Sequence, residues 1–173
     1  MNKKNDETER TERTGDMKEQ KEQKEQKEQV KLTIKGIHNA ADAGQDVIEN
    51  IYPARYFQKK GIHYLFYDEI LEETGEAVPC SIRIGTDYLE VRKTGSLQTH
   101  MIFQPETRTA TSYRTAYGTF QMGIYTKSLK QMQQEKILQV QADYILELND
   151  EVIAESRIQI IINGVSRGNQ YFQ

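Results

Sequence analysis

The chain has 173 residues, a formal net charge of −3, one cysteine and no tryptophan. That charge exerts no strong pull toward nucleic acid or an anionic membrane. The lone Cys80 excludes an internal disulfide and fits a reducing compartment. No apolar run approaches the ~20 residues of a spanning helix, and the first residues carry no apolar h-region, so a cytoplasmic location is expected.

Residues 1–29 are almost wholly polar, and from Lys18 the tripeptide Lys-Glu-Gln repeats four times. A segment whose only apolar residues are two methionines buries too little surface to offset its ordering entropy. It reads as a disordered, charged tail.

Val30 opens the folded domain. Val30, Leu32 and Ile34 alternate with Lys31, Thr33 and Lys35, the period of a half-buried strand. Asn39 to Gln45 reads as a turn. Val47 to Gln58 is a weaker strand interrupted by Pro53, which lacks a ladder donor and marks a bulge or an edge. After Lys59-Lys60-Gly61 comes the most β-prone stretch, Ile62 to Glu73, with large apolar groups on both faces near its start. Two such faces predict a central or covered strand. Glu69 shares a face with Leu65 and Tyr67, so it is either paired or placed at a strand end reaching water.

Short strands then follow in quick succession. Val78–Ile84 presents Cys80, Ile82 and Ile84 on one face, and Tyr88–Lys93 presents Leu89 and Val91. In Leu97–Gln104, Leu97, Met101 and Phe103 share a face with Thr99. From Thr107 to Thr126 the inward parity changes at Gly118, which predicts a bulge there. Thr126 to Gln134 is helix-compatible. Two long strands, Leu138–Leu148 and Val152–Ile162, complete the domain at about residue 163, and residues 164–173 read as a C-terminal tail.

About eight to ten strands joined by short turns are antiparallel neighbours in space. Such a meander hides its edges best by closing into a single up-and-down β-barrel, with a two-sheet sandwich as the competitor. The fold class is therefore all-β.

Certain of these residues resemble the YwiB-like family of bacterial β-barrel proteins, a domain of unknown function. They are Tyr67-Asp68-Glu69, Arg92 followed by Gly95, the Met101/Phe103 strand, Tyr113, Thr115, the Tyr117-Gly118 step and Thr126. The resemblance spans about Val30 to Asn163. It implies a calycin-like or lipocalin-like barrel in low-GC Gram-positive bacteria, without an assigned activity. The Gly-X-Trp signature of true lipocalins is absent, since the chain has no tryptophan.

No catalytic constellation is recognisable, so a non-enzyme is expected. His38, His63 and His100 fall on separate strands without metal-ligand spacing, and one cysteine forms no Cys-X-X-Cys site. Neither a metal nor a cofactor is predicted. The candidate ligand-binding set is Tyr67 and Glu69 on one strand, Arg92 on another, and Tyr113, Thr115 and Tyr117 on a third. Arg92 either pairs with Glu69 inside the barrel or receives the carboxylate of a small molecule, with the tyrosines as walls and donors. Eight-stranded barrels either hold one small ligand or fill with side chains. Two functions stay open: a small-molecule-binding barrel, and a filled structural or protein-interaction module whose partner the sequence does not name.

Overall fold

Residues 27–166 are described by a computed structural model, and they contain ten β-strands and no helix. The strands are β1 (Glu28–Ala40), β2 (Gly44–Lys59), β3 (Ile62–Ile70), β4 (Ala77–Ile84) and β5 (Leu89–Lys93). They continue with β6 (Thr99–Phe103), β7 (Arg108–Thr115), β8 (Gly118–Gln134), β9 (Ile137–Leu148) and β10 (Glu151–Asn163). Tight turns set the registers. Lys60 and Gly61 both have positive φ, 51° and 77°, the type I′ geometry whose twist matches the strands that it joins. Asn149 and Asp150, at 49° and 66°, turn β9 into β10 in the same way.

All ten strands form one antiparallel sheet in the order β6-β5-β4-β3-β2-β1-β10-β9-β8-β7. The β1–β10 ladder curls this meander into an up-and-down barrel. Closure is nearly complete. Between β6 and β7 only Gln98 and Arg114 exchange backbone hydrogen bonds, at 3.1 and 2.9 Å, and the Thr109 hydroxyl donates to the Ile102 carbonyl at 2.8 Å. A second gap lies between β2 and β3, which pair only from Arg55 to Lys59. Odd-numbered residues of β2 turn their backbone groups toward β3. Pro53 is next in that series and has no N–H to give, so the ladder ends there.

Two local expectations are corrected. Gly118 hosts no bulge; Ala116 and Tyr117 form a two-residue turn between Thr115 and Gly118, and the parity change is the chain reversing. Thr126–Gln134 is no helix. It extends β8, because pairing with β9 through Gln134↔Ile137 overrides a weak local preference. β3 is central, as expected, between β2 and β4, and its outer face has no covering layer. Phe57 stacks on Tyr64 with centroids 4.7 Å apart, and Arg83 and Arg55 lie over Tyr64 and Phe66, so these aromatics shield one another.

Inward residues of β1, β3, β4, β5, β6, β9 and β10 fill one end of the barrel, with Leu32, Leu65, Ile82, Leu89, Phe103, Val140 and Ile160 fully buried. Val165 plugs that end. Gly164 and Val165 both donate to the Lys136 carbonyl, and the Ser166 amide donates to Glu28. The expected C-terminal tail therefore begins as part of the fold, and its remainder, residues 167–173, lies outside the described residues. So does most of the expected Lys-Glu-Gln tail, residues 1–26; β1 begins at Glu28, two residues before the expected start.

Candidate functional site

Side-chain alternation places the site. On each contributing strand the inward residues run from tightly packed to cavity-lining: Leu32 then Ile34, Gly36 and His38 on β1; Leu65 then Tyr67 and Glu69 on β3; Phe103 then Met101 and Thr99 on β6. The cavity that opens beyond the packed end has a volume of about 320 Å³. Gly36 helps to keep it open, because an inward position on β1 carries no side chain there.

One wall is polar. The ladders align Tyr67 with Cys80, Cys80 with Lys93, and Lys93 with Thr99, a row of four side chains across β3 to β6. Lys93 Nζ donates to Glu69 Oε2 at 2.6 Å, with about a quarter of each side chain exposed. Tyr52 packs on Tyr67 with ring centroids 4.7 Å apart. Burial, aided by the Glu69 charge, pushes the Tyr52 hydroxyl up to about 12. Tyr67 is raised further still, first by burial and then by Cys80 and Glu69. Both remain neutral hydroxyls at physiological pH. The Cys80 thiol is also raised, with burial outweighing the nearby Lys93. Cys80 itself is buried in the core cluster.

Across the lumen, His38 Nδ1 and Ser156 Oγ lie 2.8 Å apart. Tyr144 lies opposite Ser156 in the β9–β10 ladder, and burial pushes its hydroxyl up to about 12. The remaining walls are mostly apolar, from Ile34, Leu97, Met101, Met122, Leu146 and Ile158, with Asn50 on the β2 side. One lining group stands out. The Thr99 hydroxyl is fully buried, in a residue 7% exposed, and no described group bonds to it.

Of the sequence-predicted residues, Tyr67, Glu69 and Tyr113 line the lumen together. Arg92 does not. It alternates with Val91 and Lys93, so it points outward beside Glu90, 3.8 Å away, with half of its side chain exposed. Lys93 takes the place expected of Arg92 as the partner of Glu69. Thr115 is spent on its own turn: its hydroxyl accepts from the Tyr117 amide and donates to the Gly118 carbonyl. Tyr117 is 87% exposed at the tip of that turn. The residues that the prediction missed are Lys93, Thr99, Tyr52, His38 and Tyr144. For Lys93 the signal was present, because Leu89 and Val91 already defined the inward parity of β5. Among the described residues, no group of three or more His, Cys, Asp or Glu side chains is placed to hold a metal ion.

Comparison with known proteins gives a family without an activity. No curated protein matches the chain. A crystal structure of the YwiB protein from Bacillus subtilis has a similar fold, with a TM-score of 0.70, 20% sequence identity, and coverage of 82% of this chain and 94% of the other. The family described as "Domain of unknown function (DUF1934)" matches residues 32–160, most of β1 through β10. The chain belongs to that DUF1934 family, in agreement with the YwiB-like resemblance.

Proposed function

We propose that this protein is a non-catalytic binding barrel whose lumen takes one small, largely apolar, net-neutral molecule. The observation that carries this reading is a cavity of about 320 Å³ lined in part by Thr99, a residue whose buried hydroxyl has no partner among the described residues. A buried polar group left unpaired is unfavourable by about 1–3 kcal/mol, and few occur in native proteins. If the Thr99 side chain turned its hydroxyl toward the lumen, a ligand hydroxyl, amide or carbonyl would remove that penalty. The volume sits at the small end of the roughly 300–1,000 Å³ typical of ligand sites.

Charge selects the class. Glu69 and Lys93 already neutralise each other at 2.6 Å. An anionic head that recruited Lys93 would strand Glu69 in the cavity, and a cationic head would strand Lys93. A neutral head meets neither obstacle. This replaces the carboxylate ligand that an inward Arg92 would have favoured.

The test is a calorimetric titration with a straight-chain alcohol, carboxylate and amine of equal length. The alcohol should bind at least about 10-fold more tightly than either ion, and Gly36→Leu, which fills the lumen, should abolish binding. A carboxylate that binds more tightly than the alcohol, or alcohol binding that survives Gly36→Leu, would show the reading to be wrong. The tightly filled end of the barrel supports the second reading, a structural or interaction module, which an inert lumen would favour.

A further inference from the structure

β1 and β2 form a hairpin that extends past the end of the β2–β3 ladder. β1 pairs with one side of β2 as far as Ala40↔Gly44, while no described strand pairs with the other side before Arg55. All eight residues from Gly44 to Ile51 are exposed, including Val47 at 49%, Ile48 at 50% and Ile51 at 56%. Alternation along β2 assigns the free backbone groups. Lys59 closes the type I′ turn against Ile62, so the odd positions of β2 face outward and the even positions face β1. Gln45, Val47, Glu49 and Ile51 therefore offer their N–H and C=O groups along an open edge. Natural sheets generally blunt such edges, because a long flat edge with apolar side chains is a template for another strand.

We infer that this edge pairs with the same edge of a second copy, antiparallel about a two-fold axis that passes between the two Ile48 residues. The side chains fit a second copy, and they disfavour registers shifted toward Pro53. With Ile48 opposite Ile48, Asp46 of one copy faces Asn50 of the other, Val47 faces Glu49, and Gln45 faces Ile51. No like charges oppose, and Pro53 falls outside the paired segment. About eight backbone hydrogen bonds form across the axis. Sliding by one step in one direction sets Glu49 against Glu49, a like-charge pair that is unfavourable when directly opposite. Sliding further that way brings Pro53, which has no donor, opposite Val47. The Ile48 register avoids both. This is an isologous contact that closes at two copies, as symmetric dimers do.

The test is sedimentation velocity on the full-length protein, with cysteine cross-linking as an independent readout. Wild type should sediment as a dimer. Glu49→Pro removes an outward donor at a position equivalent in backbone role to Pro53, and should weaken association on the order of 100-fold while leaving the thermal transition near that of wild type. Opposed residues in a non-hydrogen-bonded antiparallel pair have Cα atoms about 4.5 Å apart, within disulfide range. Ile48→Cys should therefore cross-link under mild oxidation, and Asn50→Cys should not. A monomer at every concentration tested, a dimer unchanged by Glu49→Pro, or cross-linking at Asn50 and not at Ile48 would each overturn the inference.

Discussion

Replacing Lys93 by methionine removes the cation from the lumen and leaves Glu69 facing Tyr52, Tyr67 and Met101. The pair is separated by 2.6 Å, and 24% and 25% of the two side chains remain exposed. Breaking a fully buried pair from one side is unfavourable by about 3–5 kcal/mol. Partial exposure lets water screen the stranded carboxylate, which brings Lys93→Met to about 2 kcal/mol. Glu69→Gln should lose somewhat less, because the amide can still accept from Lys93. The Glu69→Gln/Lys93→Met double variant should recover much of the loss, as neither charge is then left alone, giving a coupling of at least about 1 kcal/mol. Arg92→Met is the decisive comparison. Arg92 lies outside the barrel, 3.8 Å from Glu90 and 48% exposed, and its loss should stay within about 0.5 kcal/mol. Urea unfolding followed by circular dichroism measures all four variants. If Arg92→Met destabilises as much as Lys93→Met, or if the cycle shows no coupling, the register of β5 and the electrostatics of the lumen are wrong.

Two pH effects follow from burial. His63 is buried, with Nδ1 2.7 Å from the Tyr56 hydroxyl, and burial holds its imidazolium below the ordinary 6.5. The unfolded chain binds that proton more readily, so stability is complete above about pH 6.5 and falls below it by up to ~1.4 kcal/mol per pH unit. In the Tyr56→Phe/His63→Leu variant, urea midpoints measured between about pH 6.5 and 5 should lose this slope; an unchanged slope would assign it elsewhere. At the alkaline end, burial pushes Tyr56 and Tyr144, like Tyr52, up to about 12, and Tyr67 in the same direction. Their stabilisation is complete below the ordinary value of 10.0 and is lost as pH rises above it. Tyrosinate absorbance at about pH 11 should fall short of ten ionised tyrosines until the protein unfolds, and full ionisation of a folded protein would contradict this.

Period-two alternation made most of the barrel legible, because burial of one face fixes where every second side chain goes. Cys80, Ile82 and Ile84, Leu89 and Val91, and Met101 and Phe103 all face inward as their spacing predicts. Pro53 correctly announced an edge. Gly118 misled because a parity change looks alike whether a bulge or a two-residue turn causes it, and Ala116-Tyr117 carries no strong turn signature. The β8 segment up to Gln134 is polar and helix-compatible, and only its ladder with β9 makes it a strand. At the site, Tyr67, Glu69 and Tyr113 were legible from their faces. Arg92 was chosen for its guanidinium chemistry against the parity of its own strand, which pointed to Lys93. Thr99 could be placed on the inward face, but whether its hydroxyl finds a partner depends on which side chains the closed barrel brings around it. No local pattern encodes that.

The binding account turns on whether the lumen holds a molecule. Native mass spectrometry of protein purified without detergent, set beside the same sample denatured, measures this directly for wild type and Gly36→Leu. The account predicts a discrete mass excess on wild type that is absent from the denatured sample and from Gly36→Leu, carried by a compound that is neutral once released. An excess that persists in Gly36→Leu, or a released compound that is a strong acid or base, would contradict it.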